Sequence, residues 1–315
     1  MLRAVEAAGR RRPTAAERRR MYRDLALALR CGLRDAAAGF SFLRLRGLRA
    51  LLRALSSYAA FDADAGTGLF RDSQAIRDLQ VVPVLFEHSL RKATAGDTAV
   101  VTVAQVLGMQ PAAARLRNPA TDSEVVLALR VLQGCCLLCP SCAVAAHRYS
   151  AVKVCSDIAP MPNAHQCWTT RILCCGPGHL LQVVLNILMT RDVLEQRACL
   201  DTLLALLVDC SENLMDFKEQ DGLNKIADVV KDTNRDDHVR LKCSEFLLLY
   251  SGNAKEYCGP ASKSNVQEDL QKHFGEKCAS FICSMDLFSS TLDSQMRQSE
   301  LSFLAEHVLD YMQPY

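Results

Sequence analysis

Cysteines are the residues of this chain whose type and spacing first suggest a chemical site. Cys139 and Cys142 have the C-x2-C spacing of half a zinc site, but no second C-x2-C or H-x3–5-H pair follows them. Cys135 and Cys136 also continue the apolar period of a helix, where a buried cysteine behaves as a small hydrophobic residue. We therefore predict no metal site, and keep as an alternative a zinc-binding regulator that uses the cluster Cys135–Cys175. Eight of the fifteen cysteines lie in that cluster, at positions 135, 136, 139, 142, 155, 167, 174 and 175.

A second candidate for chemistry is the Cys-x5-Arg spacing of Cys142 and Arg148, which cysteine phosphatases share. Their loop wraps a phosphate with backbone N–H groups and usually needs glycine to do so. Residues 143–147 are Ala-Val-Ala-Ala-His, which favour a helix instead. The sequence also contains none of the common nucleotide-binding, hydrolase or zinc-protease motifs. We expect that the protein is not an enzyme, with no catalytic residue and no cofactor.

The acidic stretch Asp62–Gly66 resembles the start of a calcium-binding loop. It lacks the third ligand and the closing glutamate that such a loop requires, and Ser73 stands at the closing position. The glycines and acids here predict a turn without a bound ion.

Charge is unevenly distributed along the chain. Residues 1–60 carry fourteen arginines, no lysine and four acids, a net of +10, whereas the whole chain is only +2. Nucleic-acid binding through this arginine-rich N-terminus is an alternative function, but no recognised binding motif accompanies the charge. The arginines of the run 44–55 alternate with leucines as they would on the solvated face of a helix.

Apolar residues recur at three- and four-residue spacing along most of the chain, the pattern of amphipathic helices. Aromatic residues make up only 6%, which argues against a β-sandwich or barrel. No apolar run approaches the ~18 residues of a membrane span, so we expect no membrane protein. Val100–Val106 is the one segment where a strand is an alternative. The pattern predicts helices near Ala15–Cys31, Leu43–Ala59, Asp78–Leu90, Ser123–Leu138, Leu180–Leu188, Leu194–Asp209, Leu214–Glu219, Leu223–Val230, Val239–Leu249, Val266–Ser284 and Gln295–Met312.

From Val193 onward the predicted helices follow a repeating order of long helix, short helix, glycine, medium helix and polar loop. Each helix pair has too little apolar area to fold alone, so neighbouring pairs must share a core. Gly222 precedes the medium helix, where we expect it to allow a sharp turn. These features predict an all-α fold, an armadillo/HEAT-like α-solenoid of stacked helices.

The segment Leu194–Gly252 resembles the cell division control protein 14 family, a component of the septation initiation network and distinct from the phosphatase of the same name. Met215 and Lys218 depart from the family pattern. The runs 78–90, 123–138 and 291–315 resemble the plant branch more loosely. The matching positions are Asn213, Leu214, Phe217, Gly222, Leu223, Ile226, Lys242, Glu245, Phe246, Leu247 and Tyr250.

This resemblance implies a non-catalytic adaptor rather than an enzyme. Fungal members bind a germinal-centre-class Ser/Thr protein kinase and support its activity in signalling for septum formation. The implied partner is therefore a protein kinase in cytokinesis signalling. The expected location is the cytoplasm, with association with the cytoskeleton or spindle pole, and the nucleus is the alternative.

Two sets of residues within the resemblance receive structural or binding roles. We predict that Phe217, Gly222, Leu223, Phe246 and Tyr250 form the structural core. Lys242 and Glu245 lie three residues apart in the same predicted helix as Phe246 and Tyr250, beside its apolar side chains. We expect both to be exposed. Such a pair stabilises a helix by only about 0.2–0.5 kcal/mol. We therefore predict a contact role for Lys242 and Glu245, either with the neighbouring repeat or with the partner.

The expected domain organisation has four parts. An arginine-rich helical segment spans 1–40 and a first helical-repeat portion spans 41–153. An irregular Cys/Pro-rich insertion follows over 154–182, and residues 183–315 form the helical-repeat portion that carries the family-like segment. The insertion interrupts an apolar period that would otherwise continue across it, and the codons of Val154 and Gln182 allow the ends of a retained intron. We favour a splicing or gene-model origin for it over a surface loop.

Overall fold

The described part of the chain is all-helical, which confirms the all-α part of the fold prediction. Within the residues that it describes, the computed structural model contains no strand. None of the described helices is long and apolar enough to cross a membrane. Tertiary contacts divide the chain into two compact units, residues 1–145 and 146–315. The structure describes residues 14–59, 63–90, 120–147, 184–185, 187–189, 192–208, 210–257, 259–285 and 294–312.

Two long helices open the first unit. Thr14 caps α1 with a reciprocal pair of hydrogen bonds to Glu17, which satisfies backbone donors at the start of the helix. The helices of this unit are α1 (Ala15–Ala36), α2 (Ser41–Ala59), α3 (Ala63–Gln74), α4 (Val81–His88) and α5 (Asp122–Leu138), with a 3-10 turn at Arg77–Leu79.

Helices α1 and α2 pack unusually closely because glycines face each other at their contact. A Cβ atom on Gly47 would lie 2.3 Å from the backbone nitrogen of Ala36 and 2.6 Å from the carbonyl oxygen of Gly32. Real side chains do not tolerate such distances, so only glycine allows these two backbones to approach. The close contact places the apolar faces of both helices in one core.

A buried ion pair joins α2 to α5. The Nε atom of Arg44 donates to Glu124 Oε2 at 2.8 Å, and Arg44 also donates to the carbonyl oxygen of Gly39 at 2.9 Å. Ser41 Oγ donates to the other oxygen of Glu124. Arg44 and Glu124 are 2% and 0% exposed. The prediction that the arginines of run 44–55 form a solvated face is therefore wrong for Arg44.

The second unit consists of helices of unequal length. A short helix, α6, spans residues 141–147, and its last two residues are the first two of the second unit. Residues 184–185 and 187–189 are also helical. The side chain of Asn213 donates to the carbonyl oxygen of Leu206 at 2.8 Å and so fixes α8 on the end of α7. The helices are α7 (Val193–Leu207), α8 (Ser211–Glu219), α9 (Gly222–Lys231), α10 (Asp237–Tyr257), α11 (Gly259–Ser284) and α12 (Ser294–Met312).

Two predictions of non-helical structure are wrong, because buried contacts outweigh the preference of the local sequence. Residues 63–66 of the predicted calcium-like turn are instead the start of α3, where Leu69 and Phe70 are buried. The prediction that the helix from Val239 ends at Leu249 is also wrong, since α10 continues to Tyr257. Ser251 is buried there and donates to Cys283 Sγ of α11. Val100–Val106 and the insertion over 154–182 lie outside the described residues.

Gly222 has a different role from the one its position suggests. The left-handed residue of the turn is Asp221, with φ of 55°, whereas Gly222 is the first residue of α9. A Cβ atom at Gly222 would lie 2.2 Å from the ring of Phe217. Glycine is therefore required by the close approach of an aromatic ring, and not by the turn.

Substituting alanine for Gly222 should destabilise the second unit. The added methyl group must displace the Phe217 ring, and such overpacking costs about 1–3 kcal/mol. Gly68→Ala in α3 is the matched control, because its Cβ would meet only Arg18 at 3.7 Å. Alanine is favoured over glycine within a helix by about 0.5–1 kcal/mol, so the control should be neutral or stabilising. Thermal unfolding of both variants decides the point, and a Gly222→Ala protein as stable as wild type would refute it.

Candidate partner-binding site

Three aromatic rings form the centre of the family-like segment. Phe217 of α8 contacts Phe246 and Tyr250 of α10, with ring centroids 6.0 and 5.5 Å apart. Phe246 and Tyr250 lie one helical turn apart and stack at 5.9 Å. All three rings are buried, as are Gly222 and Leu223 at the start of α9. Offset and tilted aromatic contacts of this kind stabilise a core beyond their buried area.

Lys242 and Glu245 belong to a polar network that joins three helices. Lys242 Nζ donates to Glu245 Oε2 and also contacts Asp201 Oδ1 of α7, both at 2.9 Å. The remaining carboxylate oxygen of Glu245 accepts a hydrogen bond from Ser302 Oγ of α12 at 3.0 Å. The two residues thus connect α10 to the helices on either side of it.

The surroundings of Lys242 favour its charged form. Burial alone would lower the pKa of Lys242, but the hydrogen bonds and charges of Asp201 and Glu245 outweigh it and raise the pKa above the ordinary value of 10.5. Because the folded pKa is the higher one, this stabilisation is fully present below the unfolded pKa near 10.5. It is lost as the pH rises through the folded pKa.

The expected exposure of this pair is wrong for Glu245. Its residue is only 5% exposed, and the side chain of Lys242 is 24% exposed. The reason is a contact with α12, whose Ser302 lies 57 residues later in the chain. The structure thus shows contacts with neighbouring helices, and the partner-binding role of Lys242 and Glu245 stays a prediction.

Removing the Glu245 carboxylate should lower the free energy of unfolding. We expect Glu245→Ala to lower the free energy of unfolding by about 2–3 kcal/mol, because the wild-type carboxylate accepts hydrogen bonds from the charged Lys242 and from Ser302, and alanine cannot. Glu245→Gln keeps an acceptor for Ser302 and should cost less. The control is Asp269→Ala, which removes an exposed ion pair with Lys218 and should cost less than about 1 kcal/mol. Urea unfolding measures all three, and equal effects for Glu245→Ala and Asp269→Ala would contradict the network.

Four of the clustered cysteines lie at the end of α5 and the start of α6. Cys135, Cys136, Cys139 and Cys142 are all buried free thiols. The Cys142 thiol donates a hydrogen bond that lowers the pKa of Cys139 to about 5, although burial opposes the shift. Burial raises the pKa of Cys135.

The predicted zinc alternative needs ligands beyond these thiols. Among the residues the structure describes, no three His, Cys, Asp or Glu side chains come together as a metal site. The other candidate ligands of the cluster, which include Cys155, Cys167, Cys174 and Cys175, lie outside the described residues. The zinc-binding alternative therefore stays a prediction.

A His–Asp pair whose aspartate is buried could not be predicted from the sequence. His147 Nδ1 lies 2.8 Å from Asp216 Oδ2 of α8. Burial raises the pKa of Asp216, and the neighbouring His147 partly offsets the shift. The polar composition of residues 216–221 favours an exposed face, but Asp216 is buried. No spacing rule could find a pair separated by 69 residues of sequence.

The exposed arginines of the first unit are partly paired with acids. Arg34 and Arg46 both contact Asp35, whose pKa is lowered mainly by the hydrogen bond from Arg46. Arg49 and Arg53 are exposed on α2. These residues form a basic surface, and nothing in their contacts identifies a nucleic-acid-binding motif. The nucleic-acid alternative stays a prediction.

Comparison with known proteins confirms the family resemblance for one segment. Residues 179–301, about two fifths of the chain, match the model of the family Cell division control protein 14, SIN component. The matched segment contains α7 to α11 and the first part of α12. It begins before residue 182, so the last residues of the predicted insertion align with the family. Comparisons with curated proteins and with solved structures give no significant match.

Proposed function

Because residues 179–301 match a family of septation components, we propose that this protein is a non-catalytic adaptor that binds a Ser/Thr protein kinase in cytokinesis signalling. The match itself indicates a role related to cell division. The kinase, of germinal-centre class, is the partner that the family resemblance implies. The single observation that carries the proposal is this match, which includes every helix from α7 to α11.

The proposed architecture is an armadillo/HEAT-like solenoid in the second unit. Its support is the sharing of one core among successive helices. Helix α10 packs against α7, α9, α11 and α12. The aromatic cluster of Phe217, Phe246 and Tyr250 spans two of the elements that a repeat would contain. Stacked helices of this kind offer an extended surface for a protein partner.

The proposed location follows from the proposed partner. A kinase adaptor of cytokinesis acts in the cytoplasm, in association with the cytoskeleton or spindle pole. Imaging of the tagged full chain through division tests this, and a location that is nuclear throughout division would contradict it.

Affinity purification of the full chain from dividing cells tests the proposed function. We expect one Ser/Thr kinase to be enriched with wild-type protein and to be lost with the unfolded Phe246→Ala variant. The matched control is Met215→Ala, since Met215 lies on α8 beside the core but is exposed. If neither wild-type protein nor Met215→Ala enriches a kinase, the proposal is contradicted.

A further inference from the structure

Exposed apolar side chains form a stripe on α12 of the second unit. Met296, Phe303 and Tyr311 of α12 are 58%, 59% and 52% exposed. Together with His307 they recur at intervals of seven, four and four residues, which places them on one face of the helix. From Met296 to Tyr311 the stripe is about 22 Å long at the helical rise of ~1.5 Å per residue.

From Phe303 to Tyr311 the rings of the stripe are connected to one another. The ring of His307 meets Phe303 edge-on at 4.6 Å. Phe281 of α11 extends the surface, with ring centroids 6.3 Å from His307 and 5.2 Å from Tyr311. Exposed clusters of this type mark protein interfaces, in which aromatic residues supply much of the binding energy.

Among the residues that the structure describes, α12 packs through its other face. The core face of α12 is already supplied by Leu301, Ala305 and Val308, which are buried. The exposed side of α12 instead carries Met296, Phe303 and Tyr311 among polar residues, and these apolar side chains suit it to pack against a further helix.

The charges around the stripe restrict what can bind there. Glu300, Glu306 and Asp310 are exposed on α12. Glu300 lies on the stripe between Met296 and Phe303, and Asp310 lies 3.9 Å from His307 Nδ1. On the α11 side, Lys277 is exposed one turn before Phe281. The rim is therefore predominantly acidic and is complementary to a partner with basic flanks. Two copies of this face would bring like charges together, and an anionic membrane surface would be repelled.

We propose that the α12 stripe, defined as Met296, Phe303, His307 and Tyr311 with Phe281, binds an amphipathic helix whose apolar face is flanked by lysine and arginine. Such a helix, about four turns long, lays its apolar side chains between the exposed rings of α11 and α12. The assignment rests on the proposed function, because it makes this helix a segment of the partner kinase.

Fluorescence polarisation with the full-length protein tests the surface directly. The probes are three labelled 18-residue peptides: a helix with a leucine stripe and lysine flanks, the same stripe with glutamate flanks, and a scrambled lysine peptide without a stripe. We expect the lysine-flanked helix to bind at least about tenfold more tightly than either control. The Phe303→Ser/Tyr311→Ser variant should lose at least about tenfold in affinity, with an unchanged melting temperature.

Leu137→Ser is the matched control variant, since Leu137 is an equally exposed apolar residue of α5. It should bind the lysine-flanked peptide as wild type does. Equal binding by the Phe303→Ser/Tyr311→Ser variant, or a preference for the glutamate-flanked peptide, would overturn the proposal. So would a wild-type dimer in sedimentation that the variant converts to a monomer, because a second copy would then cover the stripe.

Kinase binding separates failure of this surface from failure of the proposed function. If a kinase co-purifies equally with wild type and with Phe303→Ser/Tyr311→Ser, the surface assignment is wrong and the adaptor function stands. If the lysine-flanked peptide binds as expected but no kinase is enriched, the proposed function is wrong and the surface stands with a different basic partner.

Discussion

Phe246→Ala is expected to lower the free energy of unfolding by about 3–5 kcal/mol, because it leaves a cavity among rings that cannot collapse. Phe246 is buried and contacts both Phe217 and Tyr250. Loss of that much stability leaves an ordinary domain marginally folded. The variant should therefore melt early or become insoluble. Urea unfolding followed by far-ultraviolet circular dichroism gives the free-energy difference.

Met215→Ala provides the comparison for this cavity. Met215 lies two residues before Phe217 on the same helix but is exposed, so its truncation should change stability by less than about 0.5 kcal/mol. A soluble Phe246→Ala protein with unchanged melting and lost partner binding would contradict the core role. Phe246 would then be a binding residue rather than a structural one.

Arg44→Met should destabilise the first unit by about 3–5 kcal/mol, since it leaves the buried carboxylate of Glu124 without its cation. The ion pair at 2.8 Å is almost completely removed from water, so no solvent can replace the arginine. Arg44→Met/Glu124→Met should recover most of this loss, because two apolar side chains of similar volume replace a pair that was costly to desolvate. Urea unfolding of the two single variants and the double variant measures the coupling between the residues.

Arg46→Met tests whether burial is responsible for the effect of Arg44→Met. Arg46 forms an ion pair of the same length with Asp35, but its side chain is mostly exposed. Its removal should cost less than about 1 kcal/mol. Equal costs for Arg44→Met and Arg46→Met, or additive costs in the double variant, would refute the buried pair.

The helices with strong apolar periods could be predicted from the sequence. The stripe of Val239, Cys243, Phe246 and Tyr250 predicts α10, and all four residues are buried in the structure. The start of α10 lies within two residues of the prediction, and α9 within one residue at each end. These segments are predictable because local periodicity and tertiary burial select the same face.

Features that depend on distant residues could not be predicted in the same way. Glu245 lies beside the apolar stripe of α10, and its partner Ser302 belongs to α12, 57 residues later in the chain. Arg44 has the spacing of a solvated arginine, and its partner Glu124 is 80 residues away. Helix α3 contains glycines and acids that locally favour a turn, but burial of Leu69 and Phe70 outweighs that preference. In each case the deciding contact is with a segment that local sequence does not contain.

The most direct test of the central claim is the activity of the co-purified kinase with and without the purified full-length chain. We predict a complex of the two proteins by size-exclusion chromatography with light scattering, and a higher phosphorylation rate or longer active lifetime of the kinase within it. The chain alone should neither transfer nor release phosphate. Failure to form a complex, or phosphate release by the chain alone, would contradict the account of a non-catalytic kinase adaptor.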